Sequence, residues 1–236
     1  MADGFDFGEG RVPAHQHRNP DGTLGGWVAD TATVANTVYV APEAQVCDTA
    51  TVLGGVKLLG GVHIYGNACV CDYAVANGSV WIGGNARISG CATINGNAIV
   101  TGNAKVGDWA RVEDDARIYG NAKIFDHARI MGVAFVSGEA KVYGNGIVMD
   151  NGEVRGLAEV FDFGKVSQFG QVIEEAKVFD KAQVSGTAIL LGKSMVGGEE
   201  KIDGKIEGEV VTGIAAQKYR LREAVDHLLQ LDVFIG

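Results

Sequence analysis

Aliphatic residues return at every sixth position over most of this chain. From Thr31 the sequence divides into TATVAN, TVYVAP, EAQVCD, TATVLG and onward, without one insertion, to EEKIDG, which ends at Gly204. Those 174 residues make 29 hexads. The fourth position is Val, Ile or Leu in 28 of the 29, with Ala76 the exception. The second position is Ala in 19, Gly in 4 and Val in 4, and Ser194 and Glu200 complete the set. A short fixed period sets the whole architecture and is read before any single motif.

Strand side chains alternate between faces, so the second and fourth residues of a hexad share one face. The fourth position fills an interior with branched aliphatic groups. The second stays small because it sits near a corner where walls converge. Gly84-Asn85, Gly102-Asn103 and Gly120-Asn121 straddle hexad boundaries, and both residue types tolerate the positive φ a sharp corner needs. One hexad is therefore one short strand plus one corner. The 35 glycines and 47 % hydrophobic residues fit this reading, because regularly spaced apolar groups exclude low-complexity disorder.

The pattern resembles the left-handed β-helix family of hexapeptide-repeat proteins, whose motif is an aliphatic residue followed four positions later by a small one, as in Ile88 and Ala92. The resemblance covers about three quarters of the chain and implies that three hexads close one triangular coil of 18 residues. The left hand comes from the resemblance, since general topology favours right-handed crossovers. The expectation is an all-β, left-handed parallel β-helix of about ten coils, on the order of 45 Å long at ~4.8 Å per coil.

Three regions follow: residues 1–30 as an N-terminal arm or cap, 31–204 as the β-helix, and 205–236 as a C-terminal segment. His15-Gln16-His17 and Asn19-Pro20-Asp21-Gly22 read as a loop or turn before Trp27. A solenoid leaves strand edges open at its ends and needs caps. The segment NPDGTLGGWVADTATVA (19–35) also resembles the opening of uncharacterised bacterial and phage members of the family that lack insertions. Beyond Gly213, Ile214, Leu221, Val225 and Leu228 share a helical face, which predicts a helix over about 214–231 serving as a cap or in oligomerisation.

Residues 18 apart stack, so the outer faces can be read as rows. Asn67, Asn85, Asn103 and Asn121 form a structural corner ladder. One outward row holds Phe125, Tyr143, Phe161 and Phe179, beside Arg87, Lys105, Lys123, Lys141, Glu159 and Lys177. Rings along an exposed wall suggest a homo-oligomer or partner interface. Plain ladder stacking and a platform for nucleotides or single strands are the other readings. A second wall aligns Trp81, Ile99, Phe135 and Ile189, with Tyr119, Ile173 and Leu191 adjacent and Arg117 and Glu153 interrupting. The family resemblance implies a homotrimer.

Many family members are acyltransferases using acyl-coenzyme A. VWIGGNA (80–86) resembles the WIGG-type segment of sugar O-acetyltransferases, and GVHIY (61–65) resembles their HIY segment. The loop that carries the family's catalytic histidine is absent, because Tyr65 runs straight into Gly66-Asn67-Ala68. Acyl transfer needs a base, and His63, outward and directly below Trp81, is the remaining candidate. A lone outward histidine, His63 or His127, is more often simply solvated. Carbonic-anhydrase-like members bind zinc through histidines on neighbouring coils, but His63 and His127 cannot share a row. Cys69-x-Cys71 and His15-x-His17 fall short of a four-ligand site, so no metal is expected. An insertion-free rod offers flat walls, whereas small-molecule sites are concave.

The net charge of −9 argues against direct nucleic-acid binding but leaves open a mimic of it. No signal peptide or membrane-length apolar run is evident. The four cysteines, Cys47, Cys69, Cys71 and Cys91, are too few for a disulfide scaffold, so cytoplasmic residence is expected. Three readings follow in order. The first is a non-enzymatic structural or protein-binding rod, homo-oligomeric and without cofactor, touching itself and another protein through its walls. The second is an acyl-coenzyme A-dependent transferase with an inter-subunit site near His63, Trp81 and Asn85. The third is an acidic rod that imitates DNA and inhibits a nucleic-acid-binding enzyme, with Asp48, Asp72, Asp108, Glu113, Asp114, Asp115, Asp126, Asp150, Asp162 and Asp180 at or near corners.

Overall fold

The computed structural model describes residues 4–208 and 211–212, and over that span it is all strand. Three sheets of 13, 11 and 10 strands form the walls of a β-solenoid of about ten coils, parallel throughout except for the antiparallel pairings of the first three strands. The first wall opens with β1 (Gly4–Asp6), β2 (Arg11–Arg18) and β3 (Leu24–Ala29), followed by Gln45–Val46, His63–Ile64 and Trp81–Ile82. The second carries Cys69–Val70, Arg87–Ile88 and their successors, and the third starts at Tyr39–Val40. Partners lie 18 residues apart, as in Cys69↔Arg87 and Trp81↔Ile99. The expected coil length is the observed one.

The interior is a single column of fourth-position Val, Ile and Leu with second-position Ala, almost all fully buried. Ala76 is buried with them at 1 % exposure, so the one break in the aliphatic pattern still lies inside the column.

The repeat runs beyond the predicted limits at both ends. Trp27 and Val28 pair in parallel with Gln45 and Val46, so GGWVAD (25–30) is already a hexad, with Gly26 as its small second residue. A Cβ at Gly26 would collide with the Ala44 carbonyl oxygen. At the other end, Lys205–Ile206 and Val211–Thr212 extend the first and second walls. Their partners lie only 16 residues back, because one corner is two residues shorter. The helix predicted over 214–231 lies outside the described residues.

The corners divide their chemistry differently from the prediction. Positive φ falls on the sixth position alone, and the non-glycine residues that adopt it are Asp48, Asp72, Asp108, Asp114, Asp126, Asp150, Asp162, Gln168, Glu174 and Asp180. The asparagines that follow the glycines do not adopt it. They form a side-chain ladder instead: Asn67 donates to Asn85 at 3.2 Å, Asn85 to Asn103 at 2.9 Å and Asn103 to Asn121 at 3.0 Å.

The N-terminal edge is capped by side chains. Asn19, buried, accepts from the Val40 N–H at 2.8 Å and donates to the Val40 carbonyl at 3.1 Å. Its amide thus replaces the peptide group of a missing strand. Buried His17 donates from Nε2 to the Val38 carbonyl at 3.0 Å. His15 Nδ1 lies 2.8 Å from Asp30. The HQHRNP segment is therefore a cap, and its histidines are engaged in it.

Candidate binding site beneath the N-terminal hairpin

The concavity missing from a bare rod is supplied by residues 4–18. β1 and β2 form an antiparallel hairpin, with Asp6 opposite Arg11. Its turn is fixed by the Asp6 carboxylate, which accepts from Gly8 N–H at 2.8 Å and Gly10 N–H at 3.0 Å. Those bonds hold the Asp6 carboxyl below the usual carboxylate range. Phe5 stacks on Trp27 with centroids 4.9 Å apart and planes 15° apart, and Phe7 meets Phe5 edge-on. The rings pin the hairpin to the rod and leave the turn over the first wall.

Between turn and wall lies a cavity of about 650 Å³. Phe7, Val12 and Pro13 form its hairpin side; Tyr65, Trp81, His63 and Cys47 form its wall side; Glu9, Asp30 and Asp48 supply its charge. No lysine or arginine lines it. His63 and Trp81, 18 apart, are stacked at 4.4 Å with planes 5° apart, and Tyr65 meets Trp81 edge-on at 6.0 Å. The Tyr65 ring occupies the space a side chain at residue 83 would need. That is the physical reason for the glycine after Ile82.

Burial lowers the His63 pKa below its ordinary 6.5, so the ring is neutral near neutral pH. Burial first, then the charges of Asp48 and Glu9, push the Cys47 thiol up to about 11. The thiol is thus protonated and a poor nucleophile. His63 has the protonation state of a base, but no nucleophile is held against it by any hydrogen bond among the described residues.

The expected aromatic row exists as a stack on the second wall. Phe125, Tyr143, Phe161 and Phe179 follow one another at 5.1, 5.0 and 5.1 Å, with their planes nearly parallel. It is not an exposed row throughout: Phe161 and Phe179 are buried and cluster with Met195, while Phe125 and Tyr143 are half-buried. The rings belong to a small second core, so Phe161 and Phe179 are covered rather than presented on the wall. Beside it Lys105, Lys123, Lys141 and Lys177 border a groove of about 620 Å³ with Glu139, Glu159 and Glu175. Lys141 reaches Glu159 at 2.8 Å, and the Tyr143 hydroxyl donates to the same carboxylate at 3.0 Å. On the first wall, Phe135 is half-buried against Tyr119 at 5.5 Å and stands three coils from Trp81.

The most exposed rings were not anticipated. Tyr73, Trp109 and Phe163 occupy one corner row with Cys91 and His127, and Phe169 stands on another corner. Their exposures of 71 %, 59 %, 60 % and 61 % far exceed those of the stack. Trp109 stacks on His127 at 5.4 Å beside Arg111 and Arg129. The same 18-residue indexing that found the other rows places these first-position residues in line. The hairpin, too, was legible in Phe5-Asp6-Phe7 and Gly8-Glu9-Gly10. Among the described residues no three His, Cys, Asp or Glu are grouped to hold a metal ion. Cys69 and Cys71 instead face the Arg87 guanidinium at 3.9 and 3.7 Å.

No protein-family model matches this sequence, and no curated protein matches it.

Proposed function

We propose that the protein is a non-catalytic β-solenoid scaffold that binds proteins, further copies of itself first, along its outer corners and walls. The observation that carries this is the corner row of Tyr73, Trp109 and Phe163, whose rings stand more than half in solvent. Large apolar groups in repeated alignment on an isolated surface are unfavourable, and aromatic rings are enriched where protein interfaces form. Trp81 on the first wall, 45 % exposed, adds a second line of contact. A homotrimer is the form the family resemblance suggests.

A photo-crosslinking amino acid at position 109 tests this in the purified protein. Irradiation is expected to give an adduct of twice 24.7 kDa or more, while the same group at Lys123, off the row, gives little. Monomer alone from positions 109 and 163 would rule the scaffold reading out.

A second reading, acyl transfer at His63, is favoured by the cavity above that ring. Coenzyme A is polyanionic, however, and the cavity is lined by three carboxylates and by no lysine or arginine, so it ranks behind. Acetyl-coenzyme A that raises the melting temperature by mass action, with the effect lost in His63→Ala, would reverse the order. The DNA-mimic reading ranks last. Seven corner aspartates already direct a carboxylate oxygen to a backbone N–H of the next coil, as Asp126 does to Gly144 at 3.0 Å.

A further inference from the structure

We propose that the cavity beneath the hairpin is a binding site for a small organic ammonium ion with an apolar body, the ammonium placed between Glu9 and Asp48 and the body against Phe7, Tyr65 and Trp81. This does not rest on the scaffold reading, and either can fail without the other.

Shape comes first. About 650 Å³ is room for a small organic molecule, and such sites are concave, mainly apolar, with few polar groups to orient the ligand. Here rings and aliphatic groups come from both the hairpin and the wall, and all formal charge in the lining is of one sign.

Charge then selects the ligand. Asp30 Oδ1 is engaged by His15 Nδ1 at 2.8 Å. Asp48 uses one oxygen on the Gly66 N–H at 2.7 Å. Glu9 has no hydrogen bond or ion pair among the described residues. Two carboxylates therefore face the cavity without a cationic side chain, and both act on the Cys47 thiol at its floor. A cleft with low-dielectric walls and one sign of charge concentrates the opposite ion and repels its own. Neutral His63 does not offset this. An anion is excluded, a neutral molecule gains only apolar contact, and an ammonium ion gains both.

The test uses three probes of one shape titrated into the full chain by calorimetry near neutral pH: phenethylammonium, 2-phenylethanol and phenylacetate. The expected result is one-site saturation by phenethylammonium, at least tenfold weaker binding of the alcohol, and none by phenylacetate. Glu9→Gln, on an exposed turn, should weaken the ammonium at least fivefold while leaving the melting temperature and the alcohol unchanged. Trp81→Leu should weaken ammonium and alcohol alike. No saturation by phenethylammonium, an alcohol that binds as well, or a Glu9→Gln chain that binds undiminished would each overturn the proposal.

Discussion

A corner of this solenoid asks one residue to meet two demands, and aspartate meets both. Asp126 adopts φ 57° and accepts the Gly144 N–H one coil on. Left-handed backbone is tolerated by Asp better than by most residues, and its short carboxylate reaches the next coil. Glycine meets only the first demand, whereas Gln168 and Glu174, also at positive φ, meet both through the Gly186 and Gly192 N–H groups. The sequence reading assigned positive φ to Gly-Asn pairs, because Asn shares that tolerance. Nothing in a string of residues tells which side of the hexad boundary turns. Asn19 is a sharper case, since it read as part of a turn and is the cap of an open strand edge. Asn19→Ala leaves the Val40 N–H and carbonyl without partners and is expected to cost about 1–3 kcal/mol per buried group, measured by urea unfolding against the unsubstituted chain. His63 gives a prediction in pH. Its folded pKa lies below 6.5, so below about pH 6.5 the unfolded chain takes up a proton that the folded chain refuses. Stability should be intact above that pH and fall as pH drops through it, until the folded pKa is reached. Imidazole NMR should show His63 titrating below an ordinary histidine, and His63→Gln should flatten that part of the pH–stability curve.

At the scale of the element, strands of two to four residues cannot stand alone, and each is held by the coils on either side. The core is correspondingly uniform: Ile118 touches the column one coil from Val100 and one from Val136. Ile118→Ala is expected to destabilise by about 2–5 kcal/mol, read as a lower denaturant midpoint, since flanking coils are fixed by their own backbone bonds and collapse into the gap poorly. This inside half of each hexad was fully legible, because periodicity reports directly on burial. The outside half was legible only as rows. That Phe161 and Phe179 are buried while Trp109 and Phe163 are open depends on what packs over each row, and the repeat carries no record of that. The hairpin leaves only a weak trace in Phe5-Asp6-Phe7 and Gly8-Glu9-Gly10, because its apolar residues alternate over a short span beside a 29-hexad pattern.

For the whole molecule, the fold leaves two kinds of surface. The N-terminal end is closed by its own cap and hairpin and holds the one roofed cavity described here. The flanks repeat every coil and present aromatic rings in line, the form of an assembly surface. Sedimentation velocity of the unsubstituted protein over a hundredfold range of concentration is the most direct test of the scaffold. The account predicts a species of two or more times 24.7 kDa that dissociates on dilution, and that Trp109→Glu with Phe163→Glu shifts to monomer without loss of the β-sheet spectrum. A single species of 24.7 kDa at every concentration would contradict it.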